Sequence, residues 1–485
     1  MSPHAVPVAT RSRSRPSADL AEFAVTSNAF LPEHSPIQEL PDSYYQPWES
    51  IVSRLPALLE SNAIRLTVAD LPVLSTARLG TEPEWRRAYS MLAFLANAHV
   101  WGGDEPDEVL PPQITIPLLE AAEHLELPPV LTFAAAALWN FSCAGDDMSR
   151  IEDLSLLFSF TGTESESWFY LISVAMEAKA SGILHTMMNA LAAVKTRDYQ
   201  VITEALYDLC RCIQELGALL NRMYEKCDPL VFYHDIRPLL AGSRNMESAG
   251  LPRGVFYDEG DGRGEWRQLR GGSNGQSSLI QFFDVVLGVE HKGHGDTTSY
   301  HSEMREYMPG PHRRFLIHAA RMGSIRELAL APQTTDEQRQ LHAAFVAATR
   351  ALGAFRNRHL QIVARYIIVP SRQAPSPTDP DPAVSKWRQN LASSCSAQQV
   401  DDGLRGTGAR RIGGQGVLEP GSIGQAVRWH EVLYTRCLKR PGSRVLRCRG
   451  QLRIHTATPR EINCCNDHRR SSAVHRRSSA LNTDR

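Results

Sequence analysis

Hydrophobic positions along this chain recur mainly at three- and four-residue intervals, the spacing of one face of an α-helix. Trp48, Ile51, Val52, Leu55, Leu58 and Leu59 follow it, and the same pattern predicts helices over 84–100, 116–125, 131–141, 167–188 and 199–224. A glycine-rich stretch, 242–278, interrupts the series and is too long for a plain connection, which marks it as functional or disordered. Beyond it, helices are expected over 278–287, 300–307, 335–352 and 355–369, with Pro370 ending the last. Alternating β-branched runs are nearly absent, and no internal repeat is visible. The pattern predicts a mostly α fold with disordered termini: a mobile arm over 1–39, a smaller helical domain over 40–155, a large helical domain over 156–372 and a low-order basic tail over 373–485 that PSPTDPDP introduces.

Composition is that of a globular protein, 42% hydrophobic and 22% charged, which excludes collagen, a coiled-coil rod and a wholly disordered chain. The net charge of -1 conceals a split. Residues 374–485 carry 19 basic and 9 acidic side chains, a net +10, and leave -11 on residues 1–373. The acidic core argues against a nucleic-acid partner. The longest apolar run, 130–139, is half of what a membrane span needs, so no membrane association is expected. The N-terminus is basic and Ser-rich without an apolar h-region, which excludes a secretory signal and leaves a transit peptide open. Cys143, Cys210, Cys212 and Cys227 sit in apolar helical surroundings that suit reduced thiols and a cytoplasmic location.

Candidate chemistry enters with the last predicted helix. Leu352, Phe355, His359, Ile362, Val363 and Tyr366 share one face, so His359 lies on an apolar stripe. An imidazole there needs a hydrogen-bond partner or a metal, since an unpaired one in a core costs about 1–3 kcal/mol. A satisfied core histidine and a metal ligand both remain open. Haem is the cofactor most compatible with one helical histidine, because the porphyrin supplies the four equatorial nitrogens. Other clusters carry less. His291 and His294 form a loop pair with no thiolate nearby, Cys210 and Cys212 lack CxxC spacing, and Cys437, Cys448, Cys464, Cys465 and His468 match no common zinc pattern. GGSNGQSS lacks the GK[ST] ending of a phosphate loop.

Longer motifs add a resemblance. FRNRHLQIVARYIIVP, GGSNGQSSLIQFFDVVLG, MREYMPGPHRRFL, LPDSYYQPW, AHVWG, LPPQITIP and LELPPVL together resemble the indoleamine 2,3-dioxygenases over about residues 40–370, in a fungal-type form. The resemblance implies haem b, O₂ as co-substrate, and conversion of L-tryptophan to N-formylkynurenine, the first step of the kynurenine pathway, by a monomer. It makes His359 the iron ligand and places Arg356 near the haem edge. Phe169 and Ser173, in SWFYLISVAME, match distal-pocket positions; Phe232, in DPLVFYHDIRPLL, matches a phenylalanine packed on the indole, and Arg237 the arginine that meets the substrate carboxylate. Gly272, Ser273 and Asn274 match a loop on the distal side of the haem, and Asp284 a structural acid for which a partner is expected. Phe133 stands where tyrosine is common, and Ala136 and Ala137 where Cys and Val are, which suggests a roomier, more apolar pocket. The competing readings are a catalytically impaired haem-binding scaffold whose basic tail binds a partner, and a dioxygenase of another indole.

Past Pro370 the resemblance fades. Gly406, Thr407 and Gly408 match a flexible family loop, but Ala409, Arg410 and Arg411 replace the residues that continue it in the family. The tail is arginine-rich, lysine-poor and aperiodic, as a GC-rich gene read out of frame would be. We expect residues from about 409 onward to derive from a shifted frame or a mis-assigned exon; transcript sequencing tests this, and an intact message encoding the tail in frame would rule it out.

Overall fold

Proline and small polar caps set where the helices of this chain begin. In the computed structural model, which describes residues 18–291 and 299–373, α1 (Gln46–Val52) and α2 (Leu55–Glu60) each carry proline in the first turn, where its missing N–H leaves no bond unmade. After α3 (Ile64–Ala69) comes α4 (Glu82–Trp101), buried at every position from 87 to 101 and therefore a central element. α5 (Pro112–His124) packs on it. α6 (Glu164–Lys179), α7 (Ile183–Thr196) and α8 (Tyr199–Asn221) follow, then α9 (Ser278–Leu287), α10 (Tyr300–Arg305), α11 (Gly310–Met322), α12 (Ile325–Leu330) and α13 (Asp336–Val363). The fold is mostly α, as the periodicity predicts.

Two helix boundaries differ from expectation. The single helix predicted over 167–188 is two, α6 and α7, because Ser181 and Gly182, both poor helix formers, open a break between them. The two predicted over 335–352 and 355–369 are one, α13. Its start is a capping box in which Thr335 and Gln338 exchange side-chain and backbone bonds. Gly353 costs about 1 kcal/mol mid-helix, and packing of α13 along α8 outweighs it.

Part of the glycine-rich stretch is ordered as a hairpin. β4 (Val255–Gly260) pairs antiparallel with β5 (Arg263–Arg267) around Asp261 and Gly262, both with positive φ, which is the backbone of a two-residue hairpin turn. β1 (Val109–Leu110) lies parallel to β4, and β2 (Phe141–Cys143) pairs with β3 (Leu154–Leu156). The core also starts earlier than residue 40. Leu20, Phe23, Val25, Phe30 and Leu31 are buried, and Phe23 and Phe30 set their rings 5.9 and 5.5 Å from Phe315 of α11. These sparse apolar positions have no partner along their own segment, so only the fold reveals them as core. The basic tail, including the segment expected to be out of frame, lies outside the described residues. Among those residues no helix is long and apolar enough to cross a membrane.

A buried ion pair ties the first helices to α4. Arg87 binds both carboxylate oxygens of Glu49, at 2.7 and 2.5 Å, and donates to the Ile37 carbonyl, while the Leu40 N–H donates to Glu49. Removing one partner strands a buried charge. Arg87→Met is expected to cost about 3–5 kcal/mol in chemical denaturation, whereas Glu49→Leu with Arg87→Met recovers most of that loss. A double variant no more stable than the single one would contradict this account.

Candidate active site

α13 carries the most informative contrast in the molecule. At about 100° per residue its apolar stripe centres on His359, and Leu352, Phe355, Ile362 and Tyr366 around it are buried. His359 itself is exposed, and Val363 and Arg356 beside it are only half-buried. Protein covers the flanks of this stripe and leaves its middle open. An exposed imidazole among apolar side chains, with a guanidinium one turn away, offers groups that would hold a haem: a nitrogen for the iron, apolar contacts, and a cation for its carboxylates.

Arg356 is held by an ion pair with Asp284 of α9, the partner that a buried carboxylate requires. Asp284 also accepts from His291 Nε2 at 2.8 Å, and the His291 ring stacks on His301 with centroids 3.6 Å apart. Burial works to raise the Asp284 pKa, but the Arg356 charge and the His291 hydrogen bond together hold it below the usual carboxylate range. Burial, then the His291 charge, push His301 down to about 3, so it is a neutral imidazole at physiological pH. The sequence pairs His291 with His294, which lies outside the described residues; among the described residues His291 meets Asp284 and His301.

α6 begins at a dense cap. The Glu166 carboxylate accepts from Ser159 Oγ, Phe160 N, Thr161 N and Thr161 Oγ1, and the Thr163 hydroxyl accepts from Glu166 N. From this fixed start Phe169, Ser173 and Glu177 follow at four-residue spacing on one face. The half-buried Phe169 ring lies 4.9 Å from Phe232, and Phe232 meets Tyr366 edge-on at 5.8 Å. Tyr366 donates to the carbonyls of Met223 and Cys227. This aromatic chain joins α6 to the end of the helix that bears His359.

Phe232 and Arg237 stand on one π-turn, Phe232–Ile236, closed by the Arg237 N–H donating to the Phe232 carbonyl. In an α-helix residues five apart point about 140° away from each other; the wider π-turn brings them toward one face. Arg237 is buried, with its guanidinium over the Tyr233 ring. The following segment is clasped by α4: Asn97 Nδ2 donates to the Leu239 and Ala241 carbonyls, and Trp101 Nε1 to Ala241. A second π-turn, Ala134–Leu138, buries Ala136 just after the buried Phe133. The Phe133 N–H donates to Gln276 Oε1 and Gln276 Nε2 donates to Gly271, so Gln276 staples that turn to the glycine loop.

Within the loop, the close approach falls at Gly271 rather than Gly272. A Cβ at Gly271 would run into the Leu240 carbonyl oxygen, and one at Gly242 into the Gly271 nitrogen, whereas at Gly272 the nearest atom is 3.7 Å away. Ser273 Oγ contacts Tyr300 Oη at 3.0 Å and caps Gly275 N; Asn274 is exposed.

Comparison with known proteins fits this architecture. The sequence model described as Indoleamine 2,3-dioxygenase matches residues 19–413. The chain is 41% identical to an indoleamine 2,3-dioxygenase of Aspergillus nanangensis over 73% of its own length and 87% of that protein's. It is 37% identical to the indoleamine 2,3-dioxygenase of Saccharomyces cerevisiae, covering 83% and 92%, and 38% identical to a 6-hydroxytryptophan 2,3-dioxygenase of Fusarium equiseti, covering 71% and 84%. The chain belongs to the indoleamine 2,3-dioxygenase family. It is a haem-dependent dioxygenase of indoles.

Motif reading of the dioxygenase misses four residues that the fold brings to the site: Glu177, Gln276, Ser277 and His301. Ser277 Oγ donates to Glu177 Oε1 at 2.8 Å and accepts from Ile280 N, tying α6 to the start of α9. Four-residue spacing from Phe169 was the available signal for Glu177. Among the described residues its Oε2 has no hydrogen-bond partner, and burial pushes its pKa up to about 8. A native pKa above the ordinary value means that the stability it permits is complete below about pH 4.5 and is lost as pH rises to about 8. Glu177→Gln should therefore raise the melting temperature more at about pH 8.5 than at about pH 5.5. An equal gain at both values in thermal denaturation would show that Glu177 does not ionise across this range.

Proposed function

We propose that this dioxygenase opens the indole C2–C3 bond of L-tryptophan, using haem b and both atoms of O₂, to give N-formylkynurenine, and that it works as a cytoplasmic monomer. The observation that carries this reading is the π-turn that sets Phe232 and the buried Arg237 on one hydrogen-bonded turn, with Phe169 against Phe232. A flat apolar ring with a carboxylate a few ångströms beyond it is complementary to that arrangement.

In this reading His359 holds the iron, Arg356 meets the acidic edge of the haem, and Asp284 keeps Arg356 in place. The haem supplies the activation of O₂. Phe169 and Phe232 pack the indole, and Arg237 binds the amino-acid carboxylate through its two-pronged donor face. Phe133, Ala136 and the Gly272, Ser273 and Asn274 stretch line the slot and exclude water, which strengthens the Arg237 contact. Ser173 lines the pocket; no side chain is assigned as a general base. Orientation in a dry pocket is the protein's contribution.

A second substrate reading has its own support. Ala136 and Ala137 stand where bulkier Cys and Val are common, which favours a roomier pocket that a ring-substituted indole would suit, and the Fusarium equiseti relative is named for 6-hydroxytryptophan.

The haem-loaded, reduced protein is expected to produce N-formylkynurenine absorbance from L-tryptophan. His359→Ala should lose the Soret band and activity together, and activity that survives would overturn the ligand assignment. Arg237→Leu should lower kcat/KM by about 10–100-fold, the loss of a charge-assisted bond of roughly 1.5–3 kcal/mol, while the Soret band is kept. A higher kcat/KM for 6-hydroxytryptophan than for tryptophan would select the second reading.

A further inference from the structure

Beyond the residues proposed to hold the haem, one cluster joins Asp284, which the motifs place only as a structural acid, to two histidines to which they give no role. Asp284, His291 and His301 bring a carboxylate oxygen and two imidazole nitrogens within 4.8 Å of one another. They come from three separate segments: the middle of α9, the stretch just past its Gly288 cap, and α10. We propose that these three residues form a second metal site, taking a divalent transition-metal cation of the zinc class, separate from the haem iron. The inference does not rest on the dioxygenase reading.

Three features support it. First, two imidazoles and one carboxylate are a ligand set suited to zinc and its first-row neighbours. Second, the charge on Asp284 is already met by Arg356 on Oδ1, so His291 is not needed for neutrality; His291 approaches the other oxygen, Oδ2. Asp284 and the two stacked rings present more lone pairs than the hydrogen atoms between them can satisfy. A metal ion takes the place of the proton that His291 shares with Asp284. Third, Asp284 is buried while both histidines are half-buried, which leaves an approach from solvent and room for a water ligand.

Metal–ligand bonds of about 2.0–2.2 Å put tetrahedral ligands roughly 3.4 Å apart. The Asp284–His291 contact of 2.8 Å must open by about half an ångström, and the other ligand-atom distances, all within 4.8 Å, must reach the same value. His291, which lies beyond the end of α9, must also turn out of its stack on His301 so that both rings aim a nitrogen at one ion. The neighbouring Arg356 charge weakens cation binding, so micromolar rather than tighter affinity is expected. A bound ion would clasp α9 to α10, and α10 already holds the glycine loop through Tyr300 to Ser273 and Glu303 to Arg270.

The test uses the full-length, haem-loaded protein after chelator treatment, titrated with Zn²⁺ by calorimetry and with Co²⁺ by visible absorption. His301→Leu and His291→Gln should each bind one ion fewer, or bind it with a loss exceeding the roughly 10–100-fold typical when an outer-shell partner is removed. Zn²⁺ should raise the melting temperature of the parent protein and not of the variants, and His359→Ala should retain the site. Unchanged stoichiometry and affinity in both histidine variants would overturn the proposal, as would absence of Zn²⁺ binding by the parent. Should His301→Leu fail to fold, His291→Gln, placed after the helix end, decides the question alone.

Discussion

The ion pair between Asp284 and Arg356 is the constraint on which the site depends. It joins α9 to α13, and apolar surfaces alone specify helix register weakly because many packings bury similar area. A buried carboxylate has few satisfied arrangements, and leaving it unpaired is costly. From Asp284 the linkage runs back along α9 to Ser277, across to Glu177 on α6, and so to the face that carries Phe169 and Ser173. The helix bearing His359, the glycine loop and the aromatic wall are thereby set in one register by polar bonds rather than by packing alone.

Three π-turns occur among the described residues, Ala134–Leu138, Phe232–Ile236 and Ala364–Ile368, and each holds or borders positions at the site. An extra residue in a helical turn leaves the i→i−4 ladder unmade locally, and it rotates the side chains beyond it. At Phe232 and Arg237 that rotation unites an aromatic surface and a cation. After α13 it carries Tyr366 to the Met223 and Cys227 carbonyls, where its ring also supports Phe232. The departure from regular helix is what turns Phe232 and Arg237 toward one face.

Helices with a full apolar stripe and clear caps were legible from periodicity: Glu82–Trp101, Tyr199–Asn221 and Ser278–Leu287 all fall close to their expected ranges. Boundaries governed by tertiary packing were not. Ser181 and Gly182 broke a stripe that continues on both sides, while Gly353 failed to break one because α8 supports it along its length. The hairpin at Asp261 and Gly262 carried a readable turn signal inside a stretch whose glycine content concealed it. Motif resemblance supplied His359, Phe169, Phe232 and Arg237 as positions. It did not supply Glu177, Gln276 or His301, whose importance lies in partners that only the fold brings to them from other elements.

By itself the sequence determined the helical class, the acidic core, the family motifs and the direction in which each side chain leaves its own helix. Only the tertiary structure decided what stands opposite. Periodicity put His359 at the centre of an apolar stripe and could describe it equally well as core or ligand; the fold covers the flanks of that stripe and leaves the centre open. The same holds for Asp284, whose neighbours Arg356, His291 and His301 come from α13, from the stretch past the end of α9 and from α10. A helical period fixes an angle about one axis, whereas burial and ion pairing depend on where the other axes lie.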